Sequence, residues 1–137
     1  MKVVLDTNVL VAGLRSNRGA SFQVLRRVGT GQFAIALSVA LVLEYEETLK
    51  RQLDALDLSA RDVDDVIDYL CSVADLTEIF FVWRPCLRDA DDDMVLELAV
   101  AGQCDAIVTF NVRDFEPADR FGMRVLTPPQ FLKEIRS

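Results

Sequence analysis

A chain of 137 residues, 51% of them hydrophobic, suits one domain, residues 1–137, that buries its own core without disulfide or metal staples. It contains no histidine, which excludes Ser-His-Asp hydrolysis, histidine-based ribonuclease chemistry and histidine-ligated zinc; any hydrolysis must use carboxylates, metals or both. The net charge of −7 argues against a simple basic nucleic-acid interface, unless the acids are gathered where two divalent cations would cancel about four charges.

Lys2 to Asp6 is a short apolar run of strand type, ended by the polar Asp6-Thr7-Asn8, and suits a buried parallel strand. The apolar stretch around it lacks the charged start, long middle and cleavage site of a signal peptide, and no run approaches the ~20 residues of a membrane span. Ser21 to Val28 reads as a helix, with Phe22, Val24, Leu25 and Val28 spaced for one face and Gly29 and Gly31 ending it. Phe33 to Leu37 is a second strand. Ser38 then caps a helix to about Gln52, whose apolar face is Leu41, Val42, Tyr45 and Leu49.

Ser59 caps the next helix, with Asp62 three positions on as an approximate capping box; Val63, Val66, Ile67 and Leu70 share one face. Thr77 to Val82 is a strand, and the apolar run Phe80–Trp83 belongs to it as core, with a subunit contact as the other reading. Arg88 to Asp93 is a charged lead into a helix that reaches Ala101 and stops at Gly102. Ala106 to Thr109 and Arg124 to Leu126 are strands, and Thr127-Pro128 opens a last helix, with proline at a permitted first position. Cys71, Cys86 and Cys104 form no C-x-x-C pair. In a chain without a leader they read as reduced thiols of a cytoplasmic protein, with no histidine to activate any of them.

Alternating strands and helices imply an α/β fold with a parallel sheet covered on both faces, whose ligands bind beyond the carboxyl ends of the strands. Asp6 ends the first strand, and Asn111 and Asp114 follow Ala106–Thr109. An acid directly after Val3, Val4 and Leu5 needs a partner or a metal, although it could also cap the following segment. Glu44 sits at the boundary of its helix's buried stripe, with Glu47 one turn on as a rival. Asp89, Asp91, Asp92 and Asp93 crowd one helix start. The helix dipole favours one or two acids there, but four repel one another unless a cation is near. Asp62, Asp64, Asp65 and Asp68 read as a solvated face.

Together these segments resemble the PIN domain, specifically PIN proteins assigned as toxin components of toxin–antitoxin systems, the VapC-like ribonucleases. The resemblance spans nearly the whole chain: VVLDTNVLVAGL, where Asp6 matches the family's first acid; SVALVLEYEETLKR, where Glu44 matches the second; RDADDDMVLELAVAGQCDAIVTFNVRDF, where Asp93 matches the third; and the closing VLTPPQFL. Many relatives carry an acid where this chain has Asn111, so Asp114 is the candidate for the fourth carboxylate.

The resemblance implies a three-layer α/β/α, Rossmann-like fold with a mainly parallel sheet of about five strands, the first and fourth adjacent. It implies catalysis by Asp6, Glu44, Asp93 and Asp114, metal binding by these with Asn111, and substrate binding by Asn8, Thr109 and Asn111. A hard-oxygen cluster without imidazole suits Mg²⁺ or Mn²⁺, held as a pair ~3.5–4 Å apart in the two-metal scheme. The implied activity is hydrolysis of single-stranded or structured RNA to 5′-phosphate and 3′-hydroxyl ends. The implied partners are the RNA, a cognate antitoxin protein and a second copy of the chain, with no membrane.

The alternative is a PIN-fold protein of weak or no nuclease activity that binds RNA or regulates. A phosphoaspartyl phosphatase would want a second Asp where Asn8 stands, a receiver domain would want a lysine after its last strands, and a nucleotide-binding module would need G-x-G-x-x-G.

Overall fold

The structure, a computed structural model, describes residues 1–79, 87 and 89–136. Val3, Val4 and Leu5 lose essentially all contact with solvent in β1 (Lys2–Leu5), as a strand covered on both faces requires. The chain continues through α1 (Thr7–Arg15), α2 (Ala20–Arg26), β2 (Ala34–Leu37), α3 (Val39–Lys50) and α4 (Leu53–Leu56). It then forms α5 (Ala60–Val73), β3 (Asp75–Leu76), α6 (Ala90–Ala101), β4 (Ala106–Val108), a 3-10 segment (Val112–Phe121), β5 (Arg124–Leu126) and α7 (Pro128–Arg136).

Among the described residues all strand pairs are parallel, in the order β3-β2-β1-β4-β5. The first half of the chain lays strands outward from β1 through β2 to β3. The second half returns to pair β4 with the other flank of β1 and adds β5 beyond it. With right-handed crossovers this reversal covers opposite faces of the sheet and opens a crevice at the carboxyl ends of β1 and β4.

The core is aliphatic, with Tyr45, Phe115 and Phe131 its largest fully buried side chains; Phe33 meets Phe131 edge to face at 4.9 Å. Ser38 and Ser59 cap α3 and α5 as expected, and Ser59 forms a full capping box with Asp62. Gly29 and Gly31, at φ +82° and +89°, end the α2 region in the left-handed backbone that glycine adopts without strain.

Four expectations change. The stretch after β1 is helical, because Asp6 caps it and Thr7, Val9, Leu10 and Gly13 bury one side of it. The long helix after Ser38 stops at Lys50, and the separate turn α4 ends at Asp57, which is left-handed at φ 54°. The strand expected from Thr77 is laddered earlier, at Asp75–Leu76. Thr77 only adds one bond to Leu37 O at 2.8 Å, and Phe80–Trp83 lie outside the described residues. The chain after β4 forms the 3-10 segment where no element was expected. Cys71 and Cys104 are free thiols, and Cys86 is outside the described residues. No described helix is long and apolar enough to cross a membrane.

Candidate active site

The register of β1 on β4 pairs Leu5 with Val108, so Asp6 and Thr109 leave the sheet side by side. Both backbones are clamped there: Asp6 N–H donates to Val108 O and Thr109 N–H to Leu126 O, each at 2.9 Å. Asp6 is 7% exposed, and each of its carboxylate oxygens accepts one hydrogen bond. Oδ1 accepts from Thr7 N–H at 2.8 Å, capping α1, and Oδ2 accepts from the Thr109 hydroxyl at 2.7 Å. The Thr109 hydroxyl also accepts from Asn111 N–H at 3.0 Å and from Asn8 Nδ2 at 3.4 Å. Asn8 Oδ1 in turn receives Phe110 N–H at 3.4 Å.

Glu44 reaches this group from α3. Its Oε2 accepts from the Thr7 hydroxyl at 2.7 Å, so a single residue, Thr7, holds both Asp6 and Glu44. The next residue, Tyr45, is buried and donates its hydroxyl to Leu5 O, which fixes α3 to the end of β1. Burial, together with the charges of Asp6 and Glu44, holds that phenol well above its usual range.

The four acids at the start of α6 take different roles. Asp89 is the N-cap, accepting from Asp91 N–H at 2.9 Å. Asp93 is buried and accepts from Leu87 N–H at 2.8 Å, anchoring the chain that enters the helix. Asp92 is partly buried, and its carboxyl is pushed up to about 7, first by burial and then by the charges of Asp6, Asp89, Asp114 and Asp91.

The other carboxyls report the same field. Burial raises Asp6, the hydrogen bonds from Thr109 and Thr7 pull it back, and the charges of Asp114 and Asp89 raise it further. Burial raises Glu44 against the pull of the Thr7 bond, with Asp91 and Asp6 adding to the rise. Asp114, exposed on the 3-10 segment, donates its backbone N–H to Asn111 O at 3.0 Å.

Asp6, Glu44, Asp89, Asp91, Asp92 and Asp114 thus act on one another. Among the described residues, however, no three His, Cys, Asp or Glu side chains stand close enough to hold one ion as they are placed. The donor chemistry still fits a hard divalent cation: every candidate ligand is an oxygen, and a bound cation would offset both the burial and the neighbouring negative charges that together raise Asp92 to about 7.

Of the residues singled out in the sequence, Asp6, Asn8, Glu44 and Thr109 join one hydrogen-bonded network, Asn111 through its backbone. Asp114 acts on Asp6 through its charge, and Asp93 lies one position from Asp92 with its bond to Leu87. Three participants were not singled out. In the sequence Thr7 is one of three polar residues ending a strand, Tyr45 belongs to an apolar helix face, and Asp92 is one of a run of acids of which any could face a site. A run of consecutive acids shows that some will face a site, but the face is set by how the helix docks.

The family model described as PIN domain matches residues 2–113. No protein of curated function matches the chain in sequence. Among solved structures, the crystal structure of VapBC2 from Rickettsia felis bound to a DNA fragment from their promoter is similar in fold. The TM-score is 0.63 at 13% sequence identity, covering 93% of this chain and 98% of that one.

Proposed function

The chain belongs to the PIN domain family, and from that premise we propose that it is a Mg²⁺- or Mn²⁺-dependent endoribonuclease, the toxin component of a toxin–antitoxin pair. The observation that carries this reading is the mutual field of carboxylates around the β1–β4 crevice, with Asp92 raised to about 7. Structural ion-pair surfaces spread their acids among cations; here six acids act on one another around the carboxyl ends of β1 and β4, where an open parallel sheet binds ligands.

In this reading Asp6, Glu44, Asp92 and Asp114 would hold the cations, with Asp93 and Asn111 as further candidate ligands. The bound cation supplies Lewis acidity toward water and toward the phosphodiester. The chain's own residues supply the arrangement. Thr109 and Thr7 hold both oxygens of Asp6 in place, and the Thr7 hydroxyl aims Glu44. Burial and the neighbouring acids favour the protonated form of Asp92 near neutrality, and a cation held there would favour the carboxylate. Asn8 and Asn111 border the cluster and offer amide groups to the RNA, whereas Thr109, expected beside them, is fully buried with its hydroxyl spent on Asp6 and positions that carboxylate instead. The protein acts as a homodimer of single-domain chains restrained by an antitoxin protein.

The test is cleavage of single-stranded RNA by the purified chain with Mn²⁺ and with EDTA. Cleavage confined to Mn²⁺ supports the reading, and cleavage that persists in EDTA sinks it. Light scattering that returns only the 15.4 kDa monomer sinks the dimer. A second reading, a PIN-fold domain that binds RNA without cutting it, is favoured by Asn111 in place of an acid and by carboxylates that do not converge as placed. RNA binding with no cleavage in Mn²⁺ would select it.

A further inference from the structure

The turn after β4 exposes an aromatic side chain one residue from the threonine that holds Asp6. Thr109 is completely buried against Asp6, while the next residue, Phe110, is 48% exposed. Its backbone is fixed by the residues that organise the site. Phe110 N–H is held by Asn8 Oδ1 at 3.4 Å, and the following N–H, of Asn111, is held by the Thr109 hydroxyl at 3.0 Å. A single exposed phenylalanine on a surface needs no explanation. This one differs in standing one residue from the partner of Asp6, on a backbone tied down on both sides.

The electrostatics say what such a ring would be for. The chain carries −7, and the crevice concentrates acids, so the attraction to phosphate that drives most nucleic-acid binding is weak here. Stacking of a base on an aromatic face does not depend on charge and tolerates any base, but it requires a base free of a duplex stack.

We propose that Phe110 is a stacking platform for an unpaired base next to the scissile phosphodiester. The proposal rests on the ribonuclease reading above and deepens it. Phe110 is on this account a positioning residue: it places the strand, and the carboxylates act on the linkage. Stacking by one base contributes enough affinity to change KM about tenfold. The chemistry, being carried elsewhere, should show in an almost unchanged kcat.

The experiment compares wild type, Phe110→Ala and Phe110→Trp on a labelled single-stranded oligoadenosine with one abasic site moved along its length. KM and kcat are measured in Mn²⁺, and affinity by anisotropy in EDTA at low salt, with circular dichroism as the control on folding. Phe110→Ala should raise KM about tenfold and weaken binding by a similar factor. Phe110→Trp should restore both. One abasic position should weaken wild type about tenfold while leaving Phe110→Ala unaffected, because ring and base are then lost as a pair.

An active wild type with a folded Phe110→Ala of unchanged KM and affinity overturns this inference alone. So does a Phe110→Ala variant whose only defect is in self-association, which would assign the ring to a protein interface. A wild type that neither binds nor cleaves the oligonucleotide overturns the ribonuclease reading and this inference with it.

Discussion

Both oxygens of Asp6 are occupied by donors from its own chain, and one of those donors, the Thr109 hydroxyl, lies 103 positions away. Such a carboxylate is held rigidly, whereas Asp92 is held by little but the field of its neighbours. The contrast makes Asp92 the informative residue to change. Asp92→Asn keeps size and removes charge, so Mn²⁺-dependent cleavage should fall at least about a hundredfold, the scale of losing one preorganised charge in an active site.

The pH dependence has a definite sign. In the folded, ion-free protein Asp92 keeps its proton up to about 7, against an ordinary 3.8, so between those values the folded state binds more protons than the unfolded one. Stability therefore declines as pH rises from about 4 to about 7 and levels off above; Asp6 and Glu44, also raised, act in the same direction. Thermal melts in EDTA across this range should show the midpoint falling with pH. The slope should flatten in Asp92→Asn; an unchanged slope would remove Asp92 from the cluster.

Two changes to the helices separate folding from function. In α5, Ser59 Oγ accepts from Asp62 N–H at 3.0 Å and Asp62 Oδ2 accepts from Ser59 N–H at 2.9 Å. Ser59→Ala should cost about 1 kcal/mol in denaturant unfolding, since one cap donor loses its partner. Cleavage should stay at the wild-type rate, because α5 contributes nothing to the crevice. Gly13 weighs propensity against packing. Alanine inside a helix normally gains up to about 1 kcal/mol over glycine. Here the added Cβ would stand 2.4 Å from Leu25 Cδ1, 2.9 Å from Leu25 Cγ and 3.1 Å from Ser21 O. The leucine can swing partly aside, but the Ser21 carbonyl belongs to the backbone of α2. Overpacking of this kind costs about 1–3 kcal/mol, so Gly13→Ala should be net destabilising in the same measurement. A stabilised variant would show that α1 and α2 pack less closely than described.

Across the whole molecule the balance of −7 leaves the ion-free protein self-repelling, most strongly at the crevice. A cation bound only by the folded state adds stability by mass action, about 2.7 kcal/mol at a hundred times its Kd. Millimolar Mn²⁺ at low salt should therefore raise the melting temperature by several degrees, EDTA should reverse the shift, and Asp92→Asn should reduce it. Mg²⁺ should act in the same sense, and an unmoved midpoint with both ions would mean that the cluster does not gather a cation.

The order of strands and helices was legible in the chain because each element announces itself locally. Val3–Leu5 and Ala106–Val108 are continuous apolar runs, Ser38 and Ser59 carry cap chemistry, and Gly102 ends a helix where side chains give way to a turn. The parallel sheet and the general place of the acids follow from that order, while the adjacency of the first and fourth strands is what the family resemblance implies. Helix α1 escaped notice because its apolar residues follow directly on those of β1, and only the position of the core tells which of them are buried.

The site's inner connections were out of reach for the same reason. Thr7 meets Glu44 across 37 positions, Asp92 feels Asp6 and Asp114 from distant parts of the chain, and Phe110 is left outside while Thr109 is sealed in. Residue types and spacing determine which elements form and where charge accumulates. Which of several adjacent side chains faces a neighbour is decided by the rotation of one element against another, and that rotation is set only when the whole core packs.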